Sequence, residues 1–298
     1  MKNLIVITGP TACGKTAVSV DLAKKLETEI VSCDSRQFYK EMCIGTAKPS
    51  LEEMDGIPHH FVDSHSVTEE INAGKFERLA LPVIQKIFEN HDYVILTGGS
   101  GLFIDAITKG FDNMPTISEE TRNRLRSGFE IQGLAPLVAR LESLDPEYAK
   151  EVDLANPQRV IRALEILESS EKSYTELRKG QKEKRPFKVL KFVLDWPREI
   201  LYDRINKRVD LMIQSGLENE VRSVTKYRNL NSLNTVGYKE MFAYLDEKSD
   251  LDTAIELIKR NSRRYAKRQL TWFRRDDSYQ WINAKHPQLI FESIKKAN

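Results

Sequence analysis

Apolar residues form two kinds of pattern along this chain. Nearly continuous apolar runs occur at residues 4–7, 93–96 and 189–194, and such runs are typical of strands buried on both faces of a parallel sheet. Apolar residues at helical spacing follow the first run, between Ala17 and Leu26. Strands that alternate with helices predict an α/β fold in which helices flank a parallel sheet.

The first apolar run leads into the pattern G-x-x-x-x-G-K-T. We call this segment the phosphate loop, and it consists of Gly9, Pro10, Thr11, Ala12, Cys13, Gly14, Lys15 and Thr16. The glycines let the backbone aim N–H groups at phosphate oxygens, Lys15 supplies a positive charge, and the Thr16 hydroxyl suits Mg²⁺. The helix that follows would place bound phosphates at its N-terminus. The pattern predicts a P-loop NTPase-like core that binds a diphosphate or a triphosphate.

The position of the nearest carboxylate differs from that expected in an ATPase, where an acid at the end of a second strand helps to hold Mg²⁺. The strand at residues 93–96 continues as Thr97-Gly98-Gly99, without an acid. Asp34 follows a different strand and begins the Asp34 segment, residues 34–37. A lone Asp after a strand is usually a helix cap or a turn residue. Because the carboxyl ends of parallel strands converge on one crevice, we nevertheless expect Asp34 to lie close to the phosphate loop.

Composition limits the class of protein. The chain has 298 residues, a net charge of +2 and three cysteines, and an odd number of cysteines without C-x-x-C spacing indicates reduced thiols. Its apolar runs are too short to span a membrane, and the first strand begins too near Met1 for a signal peptide. We expect a cytoplasmic monomer with no membrane partner.

Positive charge is concentrated near the C-terminus. Residues 255–275 carry one acid, Glu256, and eight cations that we call the basic stripe: Lys259, Arg260, Arg263, Arg264, Lys267, Arg268, Arg274 and Arg275. The apolar spacing predicts an amphipathic helix that directs these cations outward. A solvated helix face is the simpler interpretation, but so many like charges favour a polyanion such as nucleic acid.

A helix-rich stretch interrupts the strand pattern. Ser118 and Asn156 precede helical spacings as N-cap residues do. Polar segments at residues 112–115 and 179–186 bound the stretch. We therefore expect a core with C-terminal helices at residues 1–112 and 188–298, and a mostly helical insertion domain at residues 113–187. Arg204 and Arg208 are four residues apart on a later helix. By themselves they are most simply surface arginines, although such a helix can also form a lid that reaches the phosphate loop.

Ordered motifs over nearly the whole chain resemble those of the bacterial tRNA dimethylallyltransferase family. The most specific are Asp34-Ser35-Arg36-Gln37 and Gly45-Thr46-Ala47-Lys48-Pro49. The others are Pro58-His59-His60, Gly98-Gly99-Ser100-Gly101-Leu102, Gln158-Arg159 with Arg162-Ala163-Leu164-Glu165, Gly216-Leu217 with Glu220-Val221, Gly237-Tyr238-Lys239-Glu240, and Tyr265-Ala266-Lys267-Arg268-Gln269 with Thr271-Trp272-Phe273-Arg274.

The resemblance implies a reaction and its site residues. A dimethylallyl group would pass from dimethylallyl diphosphate to N6 of adenosine 37, in tRNAs that read codons beginning with U, with Mg²⁺ and without ATP. The phosphate loop and Arg208 would bind the diphosphate, Thr16 the metal, and Asp34 the adenine amine, so that Asp34, Thr16 and Arg208 form the catalytic set. The implied tRNA-binding residues, with two from the basic stripe, are Asp34, Ser35, Arg36, Gln37, Ser100, Arg122, Gln158, Arg159, Val160, Ile161, Arg162, Arg263 and Lys267.

Two other classes of protein fit parts of the pattern. A small-molecule P-loop kinase would use the phosphate loop but leaves the basic stripe without a role. An RNA-binding NTP switch would explain the basic stripe but leaves the Asp34 segment without one.

Overall fold

Six strands among the described residues form one parallel sheet. A computed structural model of the chain describes residues 2–110, 115, 117–178 and 184–297. In chain order the strands are β1 (Asn3–Thr8), β2 (Ile30–Ser32), β3 (His59–His60), β4 (Tyr93–Thr97), β5 (Lys188–Asp195) and β6 (Tyr279–Asn283). They lie in the order β3-β2-β4-β1-β5-β6, with every neighbouring pair parallel. The predicted α/β fold is confirmed.

Fourteen α-helices are described. They are α1 (Lys15–Leu26), α2 (Leu51–Met54), α3 (Ala73–Asn90), α4 (Gly101–Thr108), α5 (Glu119–Gln132), α6 (Ala135–Leu144), α7 (Pro146–Glu151), α8 (Pro157–Leu167), α9 (Tyr174–Arg178), α10 (Arg198–Gln214), α11 (Leu217–Ser223), α12 (Tyr238–Leu245), α13 (Leu251–Phe273) and α14 (Gln288–Ala297). Within the described ranges, none is both long and apolar enough to cross a bilayer.

Strand β1 lies inside the sheet and is buried on both faces, which accounts for its continuous apolar run. All six residues of β1 are buried, and successive side chains of a strand point to opposite faces. Leu4 and Val6 pack in a cluster that includes side chains from α3, α4 and α12. Ile5 and Ile7 pack on the other face with side chains from α1 and α14. Helices therefore cover both faces of the sheet.

The chain divides into two compact units. The core unit comprises Met1–Thr108 and Arg185–Asn298, and the insertion unit comprises Lys109–Lys184. The polar segments from which we predicted the boundary include residues 112–114 and 179–183, which lie outside the described residues.

Helices α5 to α9 belong to the insertion unit. The Ser118 hydroxyl accepts a hydrogen bond from the Thr121 N–H, and the Asn156 side chain accepts one from the Arg159 N–H, so both predicted N-caps are confirmed. Apolar side chains of α5, α6 and α8 form the core of the insertion unit.

A buried carboxylate joins two short helices of the insertion unit. Asp145 is 3 % exposed, and its carboxylate accepts hydrogen bonds from the N–H groups of Tyr148 at 3.0 Å and Thr175 at 2.9 Å and from the Thr175 hydroxyl at 2.9 Å. Burial opposes ionisation of Asp145, but these hydrogen bonds outweigh it and hold the pKa of the carboxyl below its usual value. Asp145 thus links the N-terminus of α7 to α9.

Asp145→Ala is expected to lower the free energy of unfolding of the insertion unit by about 2–3 kcal/mol, because it removes an N-cap and leaves buried N–H groups without acceptors. Amide hydrogen exchange across α6 to α8 in the full-length protein measures this loss. Since the folded pKa lies below the usual 3.8, the contribution of Asp145 is present above that pH and is lost as pH falls below it. The difference between wild type and variant should therefore shrink in acid.

Glu142→Ala is the matched control, because Glu142 is an exposed acid on α6, and it should change stability by less than about 0.5 kcal/mol. Equal exchange rates in Asp145→Ala and Glu142→Ala would contradict the role assigned to Asp145.

Candidate active site

The phosphate loop connects β1 to α1. Gly9 has φ +150° and Gly14 has φ +96°, angles that glycine adopts far more readily than other residues. A Cβ on Gly9 would lie 2.6 Å from the Leu194 carbonyl oxygen of β5. Lys15 Nζ donates to the carbonyls of Gly9 at 3.1 Å and Pro10 at 2.9 Å. The Lys15 ammonium therefore lies against the loop that precedes it.

Two arginines of α10 reach the phosphate loop, contrary to the simpler interpretation of plain surface positions. Arg204 Nε donates to the Ala12 carbonyl at 2.8 Å, and the Arg208 guanidinium donates to the Thr11 hydroxyl. Burial lowers the pKa of Arg208, while the charge of Asp34 works against this shift. Arg208 is thus a half-buried cation beside both the phosphate loop and a carboxylate.

Asp34 lies on the same cavity as the phosphate loop, as expected. Thr11, Asp34 and Arg208 all line a cavity of about 490 Å³ in the core unit. The Asp34 carboxylate accepts a hydrogen bond from the Arg36 N–H at 3.0 Å, and such a turn fixes the direction of the carboxylate. The cavity therefore brings the phosphate loop and a carboxylate together.

The remaining wall of this cavity has a cationic part and an apolar part. Cationic side chains come from Arg36, Lys239, Arg264 and Arg268. Apolar side chains come from Met212, Val236 and Ile258. The same cavity can therefore accept both an anionic and an apolar group.

Tyr265 of α13 also lines the cavity and is 36 % exposed. Its hydroxyl lies beside Ser100, and burial together with the nearby Asp34 charge raises the pKa of Tyr265 to about 12. The hydroxyl is therefore protonated at neutral pH and acts as a donor or acceptor of hydrogen bonds.

The predicted tRNA-binding residues of the core unit differ in their surroundings. Ser35 and Arg36 line the cavity. Ser100 accepts a hydrogen bond from the Ser35 N–H at 3.2 Å. The Gln37 amide donates to the carbonyls of Thr46 at 3.3 Å and Ala47 at 3.1 Å. Gln37 therefore supports the loop that contains Thr46.

In the insertion unit, the predicted tRNA-binding residues of α8 do not share one surface. Gln158, Arg159 and Arg162 are exposed and Ile161 is half-buried. Val160 is fully buried in the core of the insertion unit, so its side chain is not available to a ligand. The sixth predicted position, Arg122 of α5, pairs with Glu119 at 3.1 Å.

The prediction that every cation of the basic stripe points outward is wrong. Lys259 pairs with Asp210 of α10 at 2.9 Å, and Arg263 donates to Asn206 of α10 at 2.6 Å. Helix α10 packs along this side of α13 and supplies acceptors for both. The other six cations of the stripe remain exposed: Arg260, Arg264, Lys267, Arg268, Arg274 and Arg275.

Sequence reasoning gave no role to Glu220 of α11. Its carboxylate accepts hydrogen bonds from the N–H groups of Cys43, Ile44 and Gly45 at 2.7 to 2.9 Å and from the Tyr238 hydroxyl at 2.6 Å. Gly45 lines the cavity, and a Cβ there would lie 2.6 Å from the Tyr238 ring. Glu220 thus holds one wall of the cavity. The family motifs contain Glu220, but local patterning does not pair it with residue 45.

Comparison with known proteins extends these observations. A family model described as IPP transferase matches residues 37–276. The tRNA dimethylallyltransferase 1 of Bacteroides thetaiotaomicron is 48 % identical over 298 residues, covering 100 % of this chain and 97 % of the relative. The tRNA dimethylallyltransferase of Cytophaga hutchinsonii is 48 % identical over 291 residues, covering 98 % of this chain and 95 % of the relative.

Solved structures agree with this assignment. The crystal structure of the full-length tRNA isopentenylpyrophosphate transferase from Bacillus halodurans matches with a TM-score of 0.74 and 39 % identity, covering 99 % of this chain and 96 % of that one. A eukaryotic dimethylallyltransferase acting on tRNA matches with a TM-score of 0.81 and 28 % identity, covering 95 % of this chain and 74 % of that one. The chain therefore belongs to the IPP transferase family, the family of the tRNA dimethylallyltransferases.

Proposed function

We propose that this chain transfers the dimethylallyl group of dimethylallyl diphosphate to N6 of adenosine 37, in tRNAs that read codons beginning with U, giving N6-(dimethylallyl)adenosine. One observation carries the proposal: Thr11 of the phosphate loop, Arg208 and Asp34 line one cavity. A diphosphate held by the phosphate loop would lie near an amine held by Asp34. The relatives named above are tRNA dimethylallyltransferases, and this chain matches them over nearly their whole length.

The donor side of the site stabilises the leaving group. As the allylic C–O bond breaks, negative charge builds up on the departing diphosphate. The N–H groups of the phosphate loop, Lys15 and Arg208 would stabilise that charge, and each well-placed donor contributes about 3 kcal/mol. The planar Arg208 guanidinium suits two phosphate oxygens at once.

The acceptor side of the site orients a weak nucleophile. The lone pair of the exocyclic adenine amine is delocalised into the ring, so the C–O bond must break early. Asp34 would accept a hydrogen bond from N6, hold the amine toward the allylic carbon, and take its proton as the C–N bond forms. The apolar wall at Met212, Val236 and Ile258 would enclose the dimethylallyl group and exclude water, which hydrolyses an allylic cation.

Magnesium fits the residues that are present. Within the described residues, no group of three or more His, Cys, Asp or Glu side chains could hold a metal ion, so most ligands would come from diphosphate oxygens. Thr16, the second residue of α1, offers a hydroxyl oxygen, a donor that Mg²⁺ accepts. The ion would neutralise phosphate charge.

Exposed cations would bind the tRNA backbone. Arg264, Lys267 and Arg268 of α13 are exposed in the core unit, and Arg159 and Arg162 of α8 are exposed in the insertion unit. The target adenine must leave the anticodon-loop stack, at a cost of a few kcal/mol that backbone contacts offset.

Purified protein with tRNA, Mg²⁺ and radiolabelled dimethylallyl diphosphate should place label in the tRNA, because the site contains both donor and acceptor groups. ATP should be neither hydrolysed nor required. Parallel reactions with labelled ATP and GTP, scored for phosphate release, separate this activity from a kinase and from an NTP switch. A strict requirement for ATP would contradict the proposal.

The acid and the cation should have different kinetic effects. Asp34→Asn keeps the acceptor for the Arg36 N–H but removes the base, so kcat should fall about 10²- to 10⁴-fold with little change in KM for dimethylallyl diphosphate. Arg208→Ala should lower kcat about 10²- to 10³-fold and raise that KM, because it removes a cation beside the diphosphate. Single-turnover transfer at saturating tRNA measures both effects.

Asp92→Asn and Arg198→Ala are the matched controls, and both residues lie outside the cavity lining. They should leave transfer unchanged, and thermal melts exclude misfolding. Wild-type transfer by folded Asp34→Asn would show that Asp34 is a turn residue alone.

Lys267→Glu should weaken tRNA binding about tenfold and make its dependence on salt concentration less steep, because one phosphate contact is lost. Binding of dimethylallyl diphosphate should not change. Lys86→Glu makes the same charge change on an exposed position of α3 and should leave both affinities unchanged. Equal tRNA affinities for the two variants would mean that the stripe is a solvated helix face.

A further inference from the structure

The side chain of Gln269 on α13 connects two loops of the candidate active site, and the mechanism above gives it no role. It is 6 % exposed. Its Oε1 accepts a hydrogen bond from the Thr11 N–H at 2.9 Å, and its Nε2 donates to the Gly99 carbonyl at 2.9 Å. One buried amide therefore joins the phosphate loop to residues 98–100, which we call the Gly98 turn.

Both partners of Gln269 are backbone groups, and this fixes the orientation of its amide. A backbone N–H can only donate and a backbone carbonyl can only accept, so the bridge needs one acceptor and one donor on the same side chain. An ionised Glu lacks the donor, and Met lacks both groups. Glutamine meets both requirements at this length.

The Gly98 turn packs closely against Gln269 and Cys33. A Cβ on Gly99 would lie 2.3 Å from Gln269 Nε2, and a Cβ on Gly98 would lie 2.6 Å from the Cys33 sulfur. Because no space for even a methyl group separates the turn from these side chains, a displacement of Gln269 would be transmitted to the turn.

The Gly98 turn also contacts the acceptor side of the cavity. Its last residue, Ser100, accepts a hydrogen bond from the Ser35 N–H at 3.2 Å, and Ser35 follows Asp34. The continuous path from the phosphate loop through Gln269 and the Gly98 turn therefore ends beside the carboxylate that would hold the amine.

Helix α13 approaches this region along one face. The Tyr265 hydroxyl lies beside Ser100, Gln269 follows four residues later, and Trp272 Nε1 donates to Asp105 of α4 at 3.2 Å. Residues at this spacing lie on the same side of a helix. The face of α13 that carries Gln269 is thus held in place both before and after Gln269.

We propose that Gln269 is a positioning residue that fixes the phosphate loop relative to the Asp34 segment, and so sets the distance between the diphosphate and the acceptor amine. The inference rests on the function proposed above. Thr11, whose N–H is bound by Gln269, also accepts the hydrogen bond from Arg208, so loss of the bridge would displace a donor-side group. A displacement of about 1 Å can cost about 100-fold in rate.

Two full-length variants separate positioning from packing. Gln269→Met keeps the volume and loses both hydrogen bonds. Gln269→Glu keeps the shape and the acceptor, but its carboxylate cannot donate to Gly99. Burial and the facing carbonyl should raise the pKa of the introduced carboxyl, so that the donating, protonated form returns as pH falls.

Near pH 8, single-turnover transfer should fall about 10- to 100-fold in both variants, with no change in tRNA affinity. As pH is lowered to about 6, Gln269→Glu should recover toward the wild-type rate while the ratio of wild type to Gln269→Met stays constant. The matched control Gln288→Glu, at an exposed position of α14, should follow wild type at each pH.

Thermal melts test whether each variant folds. If Gln269→Met or Gln269→Glu does not fold, the remaining variant tests the positioning role. Wild-type rates in folded Gln269→Met, or a Gln269→Glu rate that stays in fixed ratio to wild type across pH, would overturn the positioning role. Absence of label in tRNA from the wild type would instead contradict the proposed function. Equal rates of label transfer by wild type and both variants would contradict the role of Gln269 but not the proposed function.

Discussion

The backbone conformation of the phosphate loop is the constraint on which the rest of the site depends. Gly9, Ala12 and Gly14 all have positive φ angles, which is strained for alanine and readily adopted by glycine. The same conformation leaves carbonyls of the loop in need of donors. Lys15 and Arg204 supply them, at Gly9, Pro10 and Ala12. The loop is therefore held by side chains from its own helix and from a distant one.

Strand order explains why these particular segments surround the phosphate loop. Strand β1 lies between β4 and β5, so the segments that follow those two strands flank the loop that follows β1. The segment after β4 is the Gly98 turn, and the segment after β5 begins α10. Strand β2 lies beside β4 and brings Asp34 to the same edge. The parallel sheet thus assembles residues from four parts of the chain at its carboxyl edge.

Charge in the cavity is arranged for an anionic ligand. Burial lowers the pKa values of Arg36 and Arg208, and in both cases the nearby Asp34 charge works in the opposite direction. One carboxylate near two half-buried guanidinium groups leaves a net positive charge in this part of the cavity. A bound diphosphate would supply the missing negative charge. As the allylic C–O bond breaks and more negative charge builds up on the diphosphate, the same cations would stabilise that charge.

The sequence by itself determined the chemistry that depends on local spacing and most of the elements: strands β1, β2, β4 and β5, the phosphate loop, and the caps at Ser118 and Asn156. Strands β3 and β6 were not predicted. Only the tertiary structure decided which polar groups bond to distant parts of the chain and which remain available to a ligand. Arg263 bonds with a residue 57 positions away, and Gln269 bonds with one 258 positions away, so neither partner can be found from periodicity. Periodicity reports which face of a helix is apolar, whereas hydrogen bonds depend on which helix packs against it. That is why the basic stripe was predicted to be more exposed than it is, and why Gln269 and Glu220 received no role.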